Sequence, residues 1–182
     1  MYWKEKGPVN TGATIEAALE RAQELGIGTL VVASNSGATA EKLFGQAKNF
    51  QIVCVTHHVG FTGPGEDEMS AEMRASLKEK GVTVHTATHL LAGVERGLRN
   101  RFQGAYPSEI VASTLRLLGQ GLKVCVEISV MALDAGLISH GEEIIALGGS
   151  GRGADTSCVI VPAHSNNFFD TTVKEIICRP RQ

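Results

Sequence analysis

The 182-residue sequence has no excess of charge of either sign, no CxxC pair, no long apolar run and no internal repeat. Each absence removes a class of function. Lys and Arg number 17 against 19 Asp and Glu, a formal net charge of −2, so there is no electrostatic footprint for nucleic acid or an anionic membrane surface. A membrane-spanning helix needs about 20 consecutive apolar residues, and no stretch approaches that. The opening MYWKEKGPVN carries no apolar leader core. Cys54, Cys125, Cys158 and Cys178 lack redox or metal spacing, and three of them sit in apolar runs where a thiol acts as a small hydrophobe. A cytoplasmic protein with reduced thiols is expected. The basic run Arg96 to Arg101 reads as a solvated helix end. Homo-oligomerisation is left open.

What is present is an alternation of short apolar runs and amphipathic stretches. Helical spacing joins Ile15, Ala18, Leu19, Ala22 and Leu25, with Gly26 as a stop. Apolar strands are expected at 29–33, 52–56 and 82–86, with helices after the first two, the second capped by Ser70. Amphipathic spacing continues through Leu90 to Phe102 and Ser108 to Leu118, with Pro107 between them. Residues 123–138 alternate like a strand at first, then space Ile128, Met131, Ala132 and Ala135 like a helix; the Ala135–Gly136 stop decides for the helix. Strands follow at 143–149, CVIVPA and VKEIICRP. The expectation is a single α/β domain over 1–182: a three-layer α/β/α fold whose mainly parallel sheet has an antiparallel edge strand.

In open α/β sheets, ligands gather beyond the carboxyl ends of the strands. The first strand empties into SNSGATA, where small residues leave the backbone open and a helix begins, a combination that suits phosphate. Ser34, Ser36, Gly37, Ala38 and Thr39 form one candidate wall. The strand at 143–149 runs into GGSGRGADT. Its Arg152 is either an exposed turn residue or a bidentate phosphate ligand, and Asp155 is a candidate acceptor for ligand hydroxyls or a ring N–H. Read together with SNSGATA on one sheet edge, the loop becomes the second wall: Gly149, Arg152, Gly153, Ala154, Asp155 and Thr156. It is neither a P-loop nor a GxGxxG fingerprint.

Between them, HHVGFTGPGEDE follows the second strand. His57 and His58 are adjacent on an extended segment and should point apart, so they make a poor metal pair, and no second pair accompanies them. No metal is expected. His57, Gly60 and Phe61 instead suit a phosphate or a heteroaromatic ring, which Phe61 would stack upon. PAHSNNFFD at 162–170 reads as a loop docked on the core by its phenylalanines. Glu127 and Asp134 are either buried anchors or parts of a wet helix face. No Ser–His–Asp or paired-carboxylate arrangement stands out.

LVVASNSGATAEKL and FQIVCVTHHVGF resemble the strand–loop–helix–strand core of the pyruvate kinase C-terminal α/β domain. LKVCVEISVMALDAGLI, GGSGRGADT, PAHSNNFFD and VKEIICRPR extend the resemblance to the stand-alone pyruvate kinase C-terminal domain-like proteins of archaea and bacteria. In the enzyme the equivalent Ser/Thr–Gly loop binds the phosphate of a sugar-phosphate activator. A catalytic barrel needs about 250 residues, so only the regulatory domain is resembled and phosphoryl transfer is not inherited. For the stand-alone family the resemblance implies binding of flavin mononucleotide (FMN). Three readings stay open: an FMN-binding protein, a flavoenzyme using FMN for redox chemistry, and a phosphosugar-binding regulatory module.

Overall fold

The computed structural model describes residues 1–181. The chain runs β1 (Tyr2–Trp3), α1 (Thr11–Leu25), β2 (Thr29–Ala33), α2 (Ala38–Phe44), β3 (Gln51–Thr56), α3 (Ala71–Glu79) and β4 (Thr83–Thr86). It continues through α4 (Gly93–Phe102), α5 (Pro107–Arg116), α6 (Gln120–Asp134), β5 (Ile144–Gly148), β6 (Thr156–Val161) and β7 (Thr172–Pro180). The described strands form one sheet in the order β1-β7-β6-β5-β2-β3-β4. β2, β3, β4 and β5 pair in parallel, whereas β6 runs against both β5 and β7. The sheet is therefore mainly parallel, with its antiparallel pairing gathered toward one edge, and helices cover both faces.

The strands are apolar on both sides because both faces are covered. Along β2, Leu30 and Val32 join a cluster with Ile15 of α1, Leu43 of α2 and Leu77 of α3. Val31 joins the opposite cluster with Val126 and Ile128 of α6 and Ile160 of β6. Most of α6 is buried, including its Lys123 and Glu127. A helix enclosed on nearly every side has no polar face, which is why its sequence mimics a strand at first. Its first turn presses onto the sheet: a Cβ at Gly148 would lie 2.6 Å from the Gly121 carbonyl oxygen.

Local signals act as their chemistry dictates. Gly26 ends α1 with φ 68°, and Ser70 caps α3 by accepting the Met73 N–H. α4 begins at Gly93 rather than Leu90, because the Leu91 N–H is held by Glu127 Oε1 at 2.9 Å and the preceding segment lies along α6. Within residues 165–170, Phe168 packs on the core while Phe169 is exposed, so only one of the two rings docks the loop. All four cysteines are buried and free. No helix among the described residues is long and apolar enough to cross a membrane.

Candidate functional site

Parallel β5, β2, β3 and β4 deliver their exit loops, in that order, to one edge of the sheet. The predicted site residues fall on the first three of these loops. Neighbouring strands lie about 5 Å apart, so the three loops are adjacent.

The loop after β2 leaves the sheet in register with β3, its Ser34 N–H donating to the Val55 carbonyl at 3.0 Å. The buried Ser34 hydroxyl accepts from the N–H groups of Thr39 and Ala40, at 3.1 and 3.4 Å. Ser34 and Thr39 thus brace the loop from within. Among the described residues, the N–H groups of Ser36, Gly37 and Ala38 meet no protein acceptor. Ser36 and Ala38 are exposed, and Gly37 takes φ 88° to turn the chain.

The loop after β3 builds an aromatic cluster. His57 stacks on Phe61 with ring centroids 3.8 Å apart, and its Nδ1 pairs with Glu68 Oε2 at 2.5 Å. His89, beyond β4, lies 5.1 Å from His57 and 5.4 Å from Phe61. The Arg96 guanidinium sits 5.2 Å from the Phe61 centroid. Gly60, with φ 86°, donates to the Glu66 carbonyl and closes the loop. His58 also lies near Phe61 and His89, at 5.7 and 5.3 Å. Both imidazoles therefore border the same Phe61–His89 pair. β3 ends at Thr56 and a turn begins, with Phe61 N–H donating to the His58 carbonyl, so strand alternation no longer applies. Among the described residues, no group of three or more His, Cys, Asp or Glu is placed to hold a metal ion.

Burial pushes the His89 imidazole down to about 4, with the positive charges of His57, His58 and Lys123 adding to the effect and Glu127 opposing it. His89 is a neutral ring at neutral pH. Lys123 and Glu127 form a buried ion pair behind it. Burial also lowers the Lys123 ammonium from its ordinary value.

The loop after β5 folds back on itself and on the N-terminal segment. Buried Asp155 accepts from Gly7 N–H at 2.8 Å, Ser150 N–H at 3.2 Å and the Thr156 hydroxyl at 2.9 Å. The Ala154 N–H donates to Thr11 Oγ1, and Gly149 and Gly153 lie too close to backbone for any side chain. Asp155, Ala154 and Thr156 are thus buried in the frame of the loop, while Arg152 is exposed at its tip and makes no ion pair among the described residues.

Sequence reasoning overlooked Lys123 and Arg96. A Lys and a Glu four residues apart inside an otherwise apolar helix was the available signal for the first. Arg96 carried none, because only the fold of the intervening segment brings α4 over the Phe61 loop. Arg96 was read as solvent-facing with its neighbours, yet it covers Phe61, and Arg99 pairs with Glu109 at 2.7 Å.

Comparison with known proteins gives two findings. In solved structures, the chain is similar to a pyruvate kinase of Cryptosporidium parvum in complex with ADP, at 17% identity and a TM-score of 0.42, covering 85% of this chain and 23% of that one. A second structure of a pyruvate kinase from that organism matches at 16% identity and a TM-score of 0.43, covering 85% of this chain and 24% of that one. The chain thus spans about a quarter of the length of the pyruvate kinases it matches. Residues 12–161 match the family described as pyruvate kinase, alpha/beta domain. That span takes in α1 through β6 with all three exit loops, and the chain belongs to the pyruvate kinase alpha/beta domain family.

Proposed function

We propose that the chain binds FMN at the carboxyl edge of its sheet, phosphate toward the β2 loop and flavin ring toward the β3 loop. The observation that carries this reading is an adjacency. The unpartnered N–H groups of Ser36, Gly37 and Ala38 follow β2, the strand next to β3, whose exit loop presents the stacked His57–Phe61 pair. The residues fit the group: backbone donors and the nearby Arg152 suit a phosphate, and an aromatic pair suits a planar heterocycle. Ser34, Thr39, Asp155 and Thr156 support the two walls from behind, and Gly149, Gly153 and Ala154 hold the Arg152 loop in shape. FMN, when bound, would supply redox chemistry, while the chain's own residues bind and orient it. Turnover with a nicotinamide donor would distinguish a flavoenzyme from a binding protein.

Titration of FMN into the apo protein, followed by flavin fluorescence, tests this. Saturable quenching is expected. Loss of the charge-assisted contact in Arg152→Ala should weaken binding roughly 10- to 150-fold, and Phe61→Ala should weaken it by loss of the stacking face. Unchanged affinity in both variants would remove these loops from the site. No binding by the unaltered protein would end the flavin assignment, and sugar phosphates would then be titrated in its place.

A further inference from the structure

The α4–α5 hairpin and the first turn of α6 line an open cleft of about 540 Å³, within the range of small-molecule sites. All of its lining except Lys123 comes from residues 91–117, so it is a different space from the β2 and β5 loops. Its floor is formed by buried Leu91, Ala112 and Lys123, and its rim carries exposed Ile110 and Leu117. Four cations line it: Arg96, Arg99, Arg116 and Lys123.

Two of the four are compensated, Arg99 by Glu109 and Lys123 by Glu127. The other two have no carboxylate partner among the described residues. Arg116 donates its Nε–H to the neutral Gln120 Oε1 at 2.7 Å, and Arg96 lies over the Phe61 ring. Both charges are close enough to Lys123 to disfavour its ammonium form. A lined concavity with two uncompensated guanidinium groups matches a dianion, and guanidinium geometry favours the paired oxygens of a phosphate. The volume exceeds what a bare phosphate fills, and beyond the charges the wall mixes apolar Leu91, Ile110, Ala112 and Leu117 with the hydroxyls of Ser113 and Thr114.

We propose that this cleft is a second ligand site, which takes a phosphate monoester with an apolar or aromatic body. The phosphate lies between Arg96 and Arg116, and the body rests against Leu91, Ala112 and Leu117. This goes beyond the flavin reading and does not depend on it.

Calorimetric titration of the full chain with phenyl phosphate, inorganic phosphate and phenol, in the absence of FMN, tests the site. Phenyl phosphate should bind more tightly than inorganic phosphate, and phenol should not bind. Arg116→Gln, at an exposed position, should weaken phenyl phosphate roughly 10- to 150-fold while Arg116→Lys loses less. Flat titrations would overturn the proposal, as would equal binding by Arg116→Gln. If FMN itself fails to bind, the phenyl phosphate isotherm and its Arg116 dependence still decide the matter.

Discussion

Met73 of α3 lies directly over Gly37: its Cγ is 2.4 Å from where a Cβ on residue 37 would stand. The residue whose N–H meets no protein acceptor is therefore closed by packing on its other side. Gly37 also takes φ 88°, a backbone state that costs an L-residue about 1–2 kcal/mol. Crowding of Met73 should add about 1–3 kcal/mol. Gly37→Ala is expected to destabilise the fold through both effects, read as a lower urea midpoint. Adding Met73→Ala should recover the crowding part and leave the backbone part. A double variant no more stable than Gly37→Ala would show that Met73 is not the obstacle.

Lys123 and Glu127 should behave as one unit. Lys123→Met leaves a buried carboxylate unpaired and should cost about 3–5 kcal/mol, whereas Lys123→Met with Glu127→Gln should recover most of that loss. The glutamine oxygen still accepts the Leu91 N–H that ties the approach to α4 onto α6. Equilibrium unfolding of the single and double variants checks the coupling; additive losses would show the two side chains to be independent.

The four thiols should be inert in the native state. Burial pushes the Cys54 thiol up to about 12 and raises Cys125 well above its ordinary value, so little thiolate exists at pH 8. A chromogenic disulfide reagent should label none of the four in buffer and all four in denaturant. Prompt labelling without denaturant, or a native disulfide found by mass analysis, would contradict this.

The sheet was legible in the sequence because covered parallel strands read as unbroken apolar runs, and β2, β3 and β5 fall where those runs lie. The exit loops were legible for the opposite reason, since Gly37 and Gly60 mark turns that an ordinary side chain strains. What local pattern could not carry was partnership. Asp155 reads as a ligand acceptor until Gly7, 148 positions away in the chain, is seen to donate to it. Arg96 reads as a solvated charge until α4 brings it over Phe61. The two histidines were read by strand alternation, which ends at Thr56, before either of them.

His89 should make the fold sensitive to mild acid. Its imidazole is held down at about 4 in the folded protein against an ordinary value of 6.5, chiefly by burial. The groups facing it are His57 and His58 from the β3 loop and Lys123 and Glu127 from α6, of which only Glu127 favours protonation. Above pH 6.5 the ring is neutral whether the chain is folded or not, and there is no penalty. As pH falls from about 6.5 toward 4, the unfolded chain binds a proton that the folded ring refuses, so stability is lost across that window. Discounted for the ring's partial exposure, the loss should be about 1–2 kcal/mol. His85, also lowered by burial, adds a contribution in the same direction. The carboxylates Asp67 and Asp134, held below their ordinary 3.8, lose their contribution only at lower pH and so do not mimic the effect. Urea midpoints measured from pH 7 to pH 4 should fall less steeply in His89→Gln than in the unaltered protein, with His85→Gln reducing the remaining slope. Equal slopes in the unaltered protein and His89→Gln would show that the ring does not titrate with folding.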